Sequence, residues 1–556
     1  MLCALGRPPD STRKRGSMRP VRIALLTSVL SVLSMAAAVP AVAHTKPPES
    51  GSSAVVRTDK GTVRGLVRED HRLFQGIPYA KPPVGKLRWT EPRPADPWRG
   101  VLDGTAPRSQ CAQPAPAYGG TATYEEDCLY LNVTTPDRRD RHGKGHARLP
   151  VMVWLHGGGN TTGNGSSYNG AKLAVDGNVV VVTIHYRLGA LGWLAHPAFE
   201  AGDQRRYQAG NYGLLDQQAA LRWVQRNITA FGGDPRNVTL FGESAGSADT
   251  CANLASPPAR GLFHKAIPQS GTCASPSHTA PTAEANAQNF AGAVGCGEET
   301  TPAGTAACLR ALPAKTLVDT FLSTGMGAGP VTGGDHVLPL RPRDALEQGK
   351  LHRVPIMHGN TLDEMRVYVA GTYPRPITVA QYEQIVRTTY GANADKVLAR
   401  YPAADYPDLR IGLATMQTHF GGGLSSCLTQ TGFKLFEKTG VPVYAYQFAD
   451  RNAPPLIEVP DYEEGAQHAT ELTYLFPGLL GELDAKQQRL SDAMVGYWTS
   501  FAHTGRPKAH GAPRWPAYRS TGDVLSLAPG ERGTDGIRLV DTYEQSNCAF
   551  WESLTT

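Results

Sequence analysis

Apolar residues in this chain gather in short blocks. Residues 150–155 (PVMVWL), 178–186 (NVVVVTIHY), 237–241 (NVTLF) and 443–448 (VYAYQF) are apolar throughout or nearly so. Runs of strand length without polar alternation predict strands buried on both faces, as in a parallel sheet covered by helices. Between them the period changes. Residues 211–230 place Leu221, Val224 and Ile228 on one helical face, and Phe231-Gly232-Gly233-Asp234-Pro235 breaks the pattern. Residues 247–255 and 490–501 predict further helices. Strands and helices taking turns in this way build an α/β fold around a mostly parallel sheet.

The flanks read less regularly. Residues 55–67 (VVRTDKGTVRGLV) hold two β-rich runs around Asp59-Lys60-Gly61, a hairpin signal. Residues 74–89 are proline-bearing and extended. Across 275–350 the sheet signal fades into Ala/Thr/Pro-rich segments with short helical pieces, and 354–360 (VPIMHGN) returns to a strand. Residues 376–440 are predicted mainly helical, placed to cover a pocket, and 515–527 are predicted to form a terminal strand pair.

The first 43 residues change the reading of charge. Arg13, Lys14, Arg15, Arg19 and Arg22 precede an apolar stretch at 23–42, and Ala41-Val42-Ala43 is a small-residue cleavage site. This predicts a secretory signal peptide over 1–43, with Met1 or Met18 as its start, and a mature chain from His44. An uncleaved anchor is the competing reading, opposed by Thr27, Ser28, Ser31, Ser34 and Pro40 within the stretch. The leader takes six of the 55 basic and one of the 49 acidic residues, leaving 49 against 48. A mature chain so balanced gives no support for nucleic-acid or anionic-membrane binding. Nine cysteines lose Cys3 to the leader, and an even eight in an exported chain implies disulfides. Residues 44–556 are expected to form one large domain, secreted and free of the membrane once the signal is removed.

The candidate chemistry centres on Gly242-Glu243-Ser244-Ala245-Gly246. A serine between glycines, at the junction of a buried strand and a helix, is a nucleophile elbow. The apolar run 150–155 ends in His156-Gly157-Gly158-Gly159, which can turn bare N–H groups toward a pocket; a merely flexible loop is the rival reading. Serine needs a base within hydrogen-bond reach, and the base needs an orienting acid. Ser244, Glu364 and His468 follow the chain order serine, acid, base, and each lies beyond a predicted strand. Asp363 adjoins Glu364 and could serve instead. In this reading His468 takes the Ser244 proton and Ser244 attacks a carboxyl ester. Glu364 fixes the imidazole tautomer, and the N–H groups of Gly158, Gly159 and Ala245 receive the oxyanion. Glu243, Ser270 and Glu471 are polar candidates for supporting positions. No metal or cofactor is expected: the sequence has no HExxH, no close CxxC pair and no GxxxxGK[ST].

These blocks, in this order, resemble the type-B carboxylesterases, the family of cholinesterases and para-nitrobenzyl esterases. The resemblance runs over about residues 55–551. It rests on 74–80 with Pro82-Pro83, on 126–133, on 156–159, on 186–192 (YRLGALG) and on 231–247. It implies an α/β-hydrolase fold: a large, mostly parallel central sheet with helices on both faces and helical insertions over the active site. It implies a small-molecule ester as substrate, prefers Glu364 over Asp363, and places the base on His468 through HATELTYLF. It also implies Cys111–Cys128, Cys296–Cys308 and Cys427–Cys548 bridges, leaving Cys251 and Cys273 to pair by elimination. Three departures stand out. The loop between Cys111 and Cys128 is short and lacks the tryptophan on which cholinesterases stack choline, Asn160 replaces the aromatic common after HGGG, and Ala469 replaces the usual glycine after the histidine. The rival readings are a non-catalytic adhesion protein on the same fold, and a thioesterase or peptidase using the same three side chains.

Overall fold

The strand Leu149–Leu155 shows why its apolar run needs no polar alternation. Val151, Val153 and Leu155 enter one hydrophobic core, while Met152 and Trp154 enter a second core on the opposite face. Successive side chains of a strand point to opposite faces, so a strand covered twice must be apolar at every position. The computed structural model describes residues 53–137, 147–199, 210–275, 278–333, 336–531 and 536–554. The expected leader and its cleavage site lie outside these residues.

The chain enters through β1 (Ser53–Arg57), β2 (Thr62–Val67) and β3 (His71–Pro78), then β4 (Val101–Asp103) and β5 (Tyr130–Pro136). The expected hairpin is present, with β1 antiparallel to β2. Next come β6 (Leu149–Leu155), β7 (Val180–Ile184), β8 (Gly233–Glu243) and β9 (Lys265–Gln269). A small parallel pair, β10 (His278–Thr279) and β11 (Val331–Thr332), stands apart. The large sheet then resumes with β12 (Ile356–Thr361), β13 (Val443–Phe448), β14 (Val524–Leu527) and β15 (Arg538–Val540). Its order is β1-β2-β3-β5-β7-β6-β8-β9-β12-β13-β14-β15, with β4 beside β2. All neighbouring pairs from β7 to β14 are parallel, and the pairs outside that block are antiparallel except β2 with β4.

Helices cover both faces, and a short helix α2 (Gly189–Trp193) falls between α1 and α3 in the chain. On one side α3 (Tyr212–Asn227) and α4 (Ala245–Ala255) supply Leu221, Val224 and Leu254 to the core shared with Val151 and Leu240. On the other, α1 (Ala171–Gly177) and the long helix Ala485–Thr504 bring Leu173, Trp498 and Phe501 against Trp154 and Phe241. The segment predicted to be helical at 376–440 forms the helices Val379–Tyr390, Ala394–Arg400, Leu409–His419 and Ser426–Lys438. These build a separate apolar cluster of their own with Met365 and the C-terminal Trp551.

The terminal strand pair is placed differently from expectation. Strand β14 pairs parallel with β13 and antiparallel with β15, while residues 515–518 form no strand. Proline at 513 and 516 denies that segment a regular ladder. It docks instead through the Trp515 indole, which donates to the Ala445 carbonyl at 3.1 Å, and through the Tyr518 N–H on Val443. The four disulfides Cys111–Cys128, Cys251–Cys273, Cys296–Cys308 and Cys427–Cys548 are all formed, including the pair left over by elimination.

Candidate active site

Ser244 sits between the end of β8 and the start of α4, in the middle of the parallel block. Its backbone is held at φ 56° and ψ −121°, a region that costs a non-glycine residue roughly 1–3 kcal/mol. The surroundings leave no alternative. A Cβ on Gly246 would lie 2.1 Å from the Leu155 carbonyl oxygen, and one on Gly242 2.5 Å from that of Gly246. The Ser244 N–H donates to the Gln269 carbonyl at 2.9 Å, tying the turn to the end of β9. The Ser244 carbonyl accepts from Ser247 and Ala248, so the first turn of α4 closes beneath it.

The glycine loop leaves β6, the strand beside β8. Its peptide planes are oriented by their carbonyls. The Gly158 carbonyl accepts from the N–H and the hydroxyl of both Thr161 and Thr162. In a trans peptide the N–H opposes the carbonyl, so the Gly159 N–H faces away from those threonines. The Gly157 carbonyl likewise engages the His156 ring at 2.9 Å, which turns the Gly158 N–H outward. Gly158 adopts φ 103°, and a Cβ there would meet the Thr162 carbonyl at 2.3 Å, so only glycine fits. The N–H groups of Gly158, Gly159 and Ala245 donate to no acceptor among the described residues.

Glu364 and His468 follow β12 and β13; β12 lies next to β9 on the side away from β8, and β13 lies beyond β12. The His468 Nδ1–H donates to Glu364 Oε2 at 2.6 Å, and both side chains are buried. The other carboxylate oxygen accepts the Thr361 N–H at 2.7 Å, so the acid cannot swing away. Asp363, its neighbour and rival, points elsewhere. It is bridged by Arg451 at 2.9 Å and Arg366 at 3.3 Å and accepts the Ala466 N–H. Ala469 is held at φ 70°, the left-handed region that glycine enters without strain.

Of the three supporting candidates, Glu243 and Glu471 interact with this pair, while Ser270 donates its N–H to the Gly359 carbonyl. Glu243 Oε1 lies 3.0 Å from His468 Nε2, off hydrogen-bond geometry, so neither atom has a hydrogen-bond partner among the described residues. Burial opposes charge on His468, yet Tyr368, Glu243 and Glu364 together hold its pKa well above the ordinary 6.5. Glu471 is pushed up to about 8, first by burial and then by the Glu243 and Glu364 charges, and accepts from Gln269 at 3.3 Å. Ser270 is held at φ 48°, and its buried hydroxyl has no hydrogen-bond partner among the described residues. Sequence reading missed Tyr368. Its ring packs on His468 with centroids 5.5 Å apart, and His468 in turn lies 3.0 Å from Glu243, the residue before Ser244, so histidine and serine share one neighbourhood. No sequence signal singled out Tyr368, since Glu364 lies in the turn before the helix Arg366–Thr372 that carries it. Among the described residues no cluster of three or more His, Cys, Asp or Glu could hold a metal ion, and no helix is long and apolar enough to cross a membrane.

A parallel sheet wound with helices on both faces, with a strained serine turn at the carboxyl end of a central strand, defines an α/β-hydrolase. The chain belongs to the Carboxylesterase family, which it matches over residues 52–551, and is a carboxylic-ester hydrolase. It is 35% identical to the para-nitrobenzyl esterase of Bacillus subtilis (strain 168), over 85% of this chain and 94% of that protein. It is 34% identical to the medium-chain fatty acyl-CoA hydrolase precursor of Anas platyrhynchos (90% and 92% covered). It is also 31% identical to the liver carboxylesterase of Sus scrofa (91% and 94%).

Proposed function

We propose that this protein is a secreted serine carboxylesterase working through an acyl-enzyme on Ser244. The reading rests above all on the 2.6 Å bond between His468 and Glu364, buried beside a serine held in a strained turn. His468 Nε2 removes the Ser244 proton as Oγ attacks the ester carbonyl. Glu364 holds the proton on Nδ1, which leaves Nε2 as the base, and stabilises the imidazolium that forms. The N–H groups of Gly158, Gly159 and Ala245 bind the developing oxyanion, where one donor is typically worth roughly 2.7–4 kcal/mol of barrier. The imidazolium then protonates the departing alcohol, and water repeats the sequence on the acyl-enzyme. Export after cleavage before His44, leaving 44–556 as one domain, agrees with four disulfides, which persist in oxidising compartments.

The substrates proposed are esters with short to medium acyl chains, in keeping with the name of the one medium-chain hydrolase among those relatives. The test is a p-nitrophenyl ester series with intact protein and Ser244→Ala. Turnover is expected to fall by roughly four to six orders of magnitude in the variant. Retained turnover would remove Ser244 from the mechanism, and a preference for long chains would contradict the substrate assignment.

A further inference from the structure

The proposed oxyanion donors come from two elements. Gly158 and Gly159 belong to the loop after β6, and Ala245 to the start of α4 after β8. Something must fix the distance between them, because an oxyanion hole works only if its donors stay aimed at one point. The residue next to the loop glycines is Asn160, at the position where the family resemblance leads one to expect an aromatic ring. It adopts φ 57°, which asparagine tolerates better than most residues, and its side chain is 2% exposed. The Asn160 Nδ2 donates to Asp249 Oδ1 at 3.1 Å. Asp249 lies on α4, five residues beyond Ser244, and is fully buried.

Asp249 is itself held. Its other oxygen accepts Gln217 Nε2 from α3 at 2.6 Å. Asn253, one turn further along α4, donates to Gln217 Oε1 at 2.9 Å and to the Asp249 carbonyl at 3.0 Å. On the loop side, the Asn160 carbonyl accepts the Gly189 N–H at 2.8 Å. Among the described residues the carboxyl has two amide donors and no ion-pair partner. A buried carboxyl so placed is a poor way to stabilise a core.

We propose that Asn160 and Asp249 are positioning residues that brace the oxyanion loop against the nucleophile helix. The brace is a side-chain bond from the residue after Gly159 to the second turn of the helix that Ala245 begins. It sets the separation of the loop donors from the helix donor. This rests on the reading of Ser244 as nucleophile and of the three N–H groups as the oxyanion hole.

The experiment compares Asn160→Ala, Asp249→Ala, the double variant and Asp249→Asn on one p-nitrophenyl ester. Each protein is also assayed for inhibition by a trifluoromethyl ketone, which forms a tetrahedral adduct. Ser244 is titrated in each with a fluorophosphonate, so that rates are normalised to folded, reactive enzyme. Both alanine variants are expected to lose about 10- to 100-fold in kcat with little change in KM, and to weaken the ketone by a similar factor. The double variant should lose no more than either single one. Asp249→Asn should recover most of the rate, because its amide can still bond Asn160, whose Oδ1 has no partner among the described residues. Wild-type kcat and ketone affinity in Asn160→Ala, additive losses in the double variant, or a loss confined to KM would each overturn the brace. Phosphonate labelling of wild-type protein somewhere other than Ser244 would instead overturn the underlying triad reading.

Discussion

Replacing Asp249 by asparagine separates charge from shape at one buried site, and the outcome can be worked out beforehand. Burial outweighs the amide bonds from Gln217 and Asn160 and lifts this carboxyl from the ordinary 3.8 to about 7. The folded value therefore lies above the unfolded one. Between the two, the folded protein keeps a proton that the unfolded chain has released, so stability falls as pH rises through the window. The loss begins near pH 4 and is complete just above pH 7. About three units at 1.36 kcal/mol each make roughly 4 kcal/mol over the whole window. Between pH 5 and pH 8.5 about two of those units apply, or roughly 2.7 kcal/mol. The folded unit, Ser52–Thr556, has about 500 residues, which at about 2.1 cal/mol/K each gives an unfolding entropy near 1 kcal/mol/K. Asp249→Asn has no such titration. Relative to wild type, its melting midpoint should therefore rise by about 3 °C on moving from pH 5 to pH 8.5. Calorimetry of both proteins at one scan rate measures this, and groups shared by the two cancel in the difference. A gap between the two midpoints that is the same at both pH values would mean that Asp249 ionises normally in the fold, and the reasoning would fail.

Two further outcomes follow from the geometry. Glu243→Gln removes a carboxylate 3.0 Å from His468 Nε2, one of the groups that hold the imidazole pKa up. The acid limb of the kcat/KM profile should therefore move to lower pH, and an upward shift or no shift would contradict that influence. Cys427–Cys548 closes a separation of 121 residues, for which the chain-entropy relation gives roughly 5 kcal/mol. The paired alanine variant should melt about 5 °C lower by the same entropy conversion, and an unchanged midpoint would argue against that stabilisation.

The sequence shows most plainly what physics forces to be local. A strand buried on both faces must be apolar throughout, so the run at 150–155 announces its own environment. A turn whose backbones touch must be glycine, so Gly242 and Gly246 mark the elbow before any coordinates exist. Adjacent carboxylates are another matter. Asp363 and Glu364 are equivalent as neighbours in a list, and only the fold turns one onto Arg451 and the other onto His468. Chain order alone does not show how far Glu243 reaches. It stands beside the serine in sequence, yet it reaches the far nitrogen of the histidine. Asp249 reads as an ordinary polar residue early in a helix, because its partners come from 160 and 217, on two other elements. The terminal segment fails for a similar reason: Trp515 looks like part of a strand but anchors through its indole.

The serine turn divides its labour unevenly between reactivity and packing. A Cβ at Gly242 or Gly246 collides with main-chain oxygens on both sides of the crossing, whereas Ser244 is tied into the turn through its N–H and its carbonyl rather than through its hydroxyl. A duplicated copy released from selection for turnover can shed that oxygen in a single substitution and fold as before, but it cannot shed either glycine. Descendants that have abandoned hydrolysis for some other trade should therefore still carry the two bare positions, as a fossil of the chemistry once performed between them.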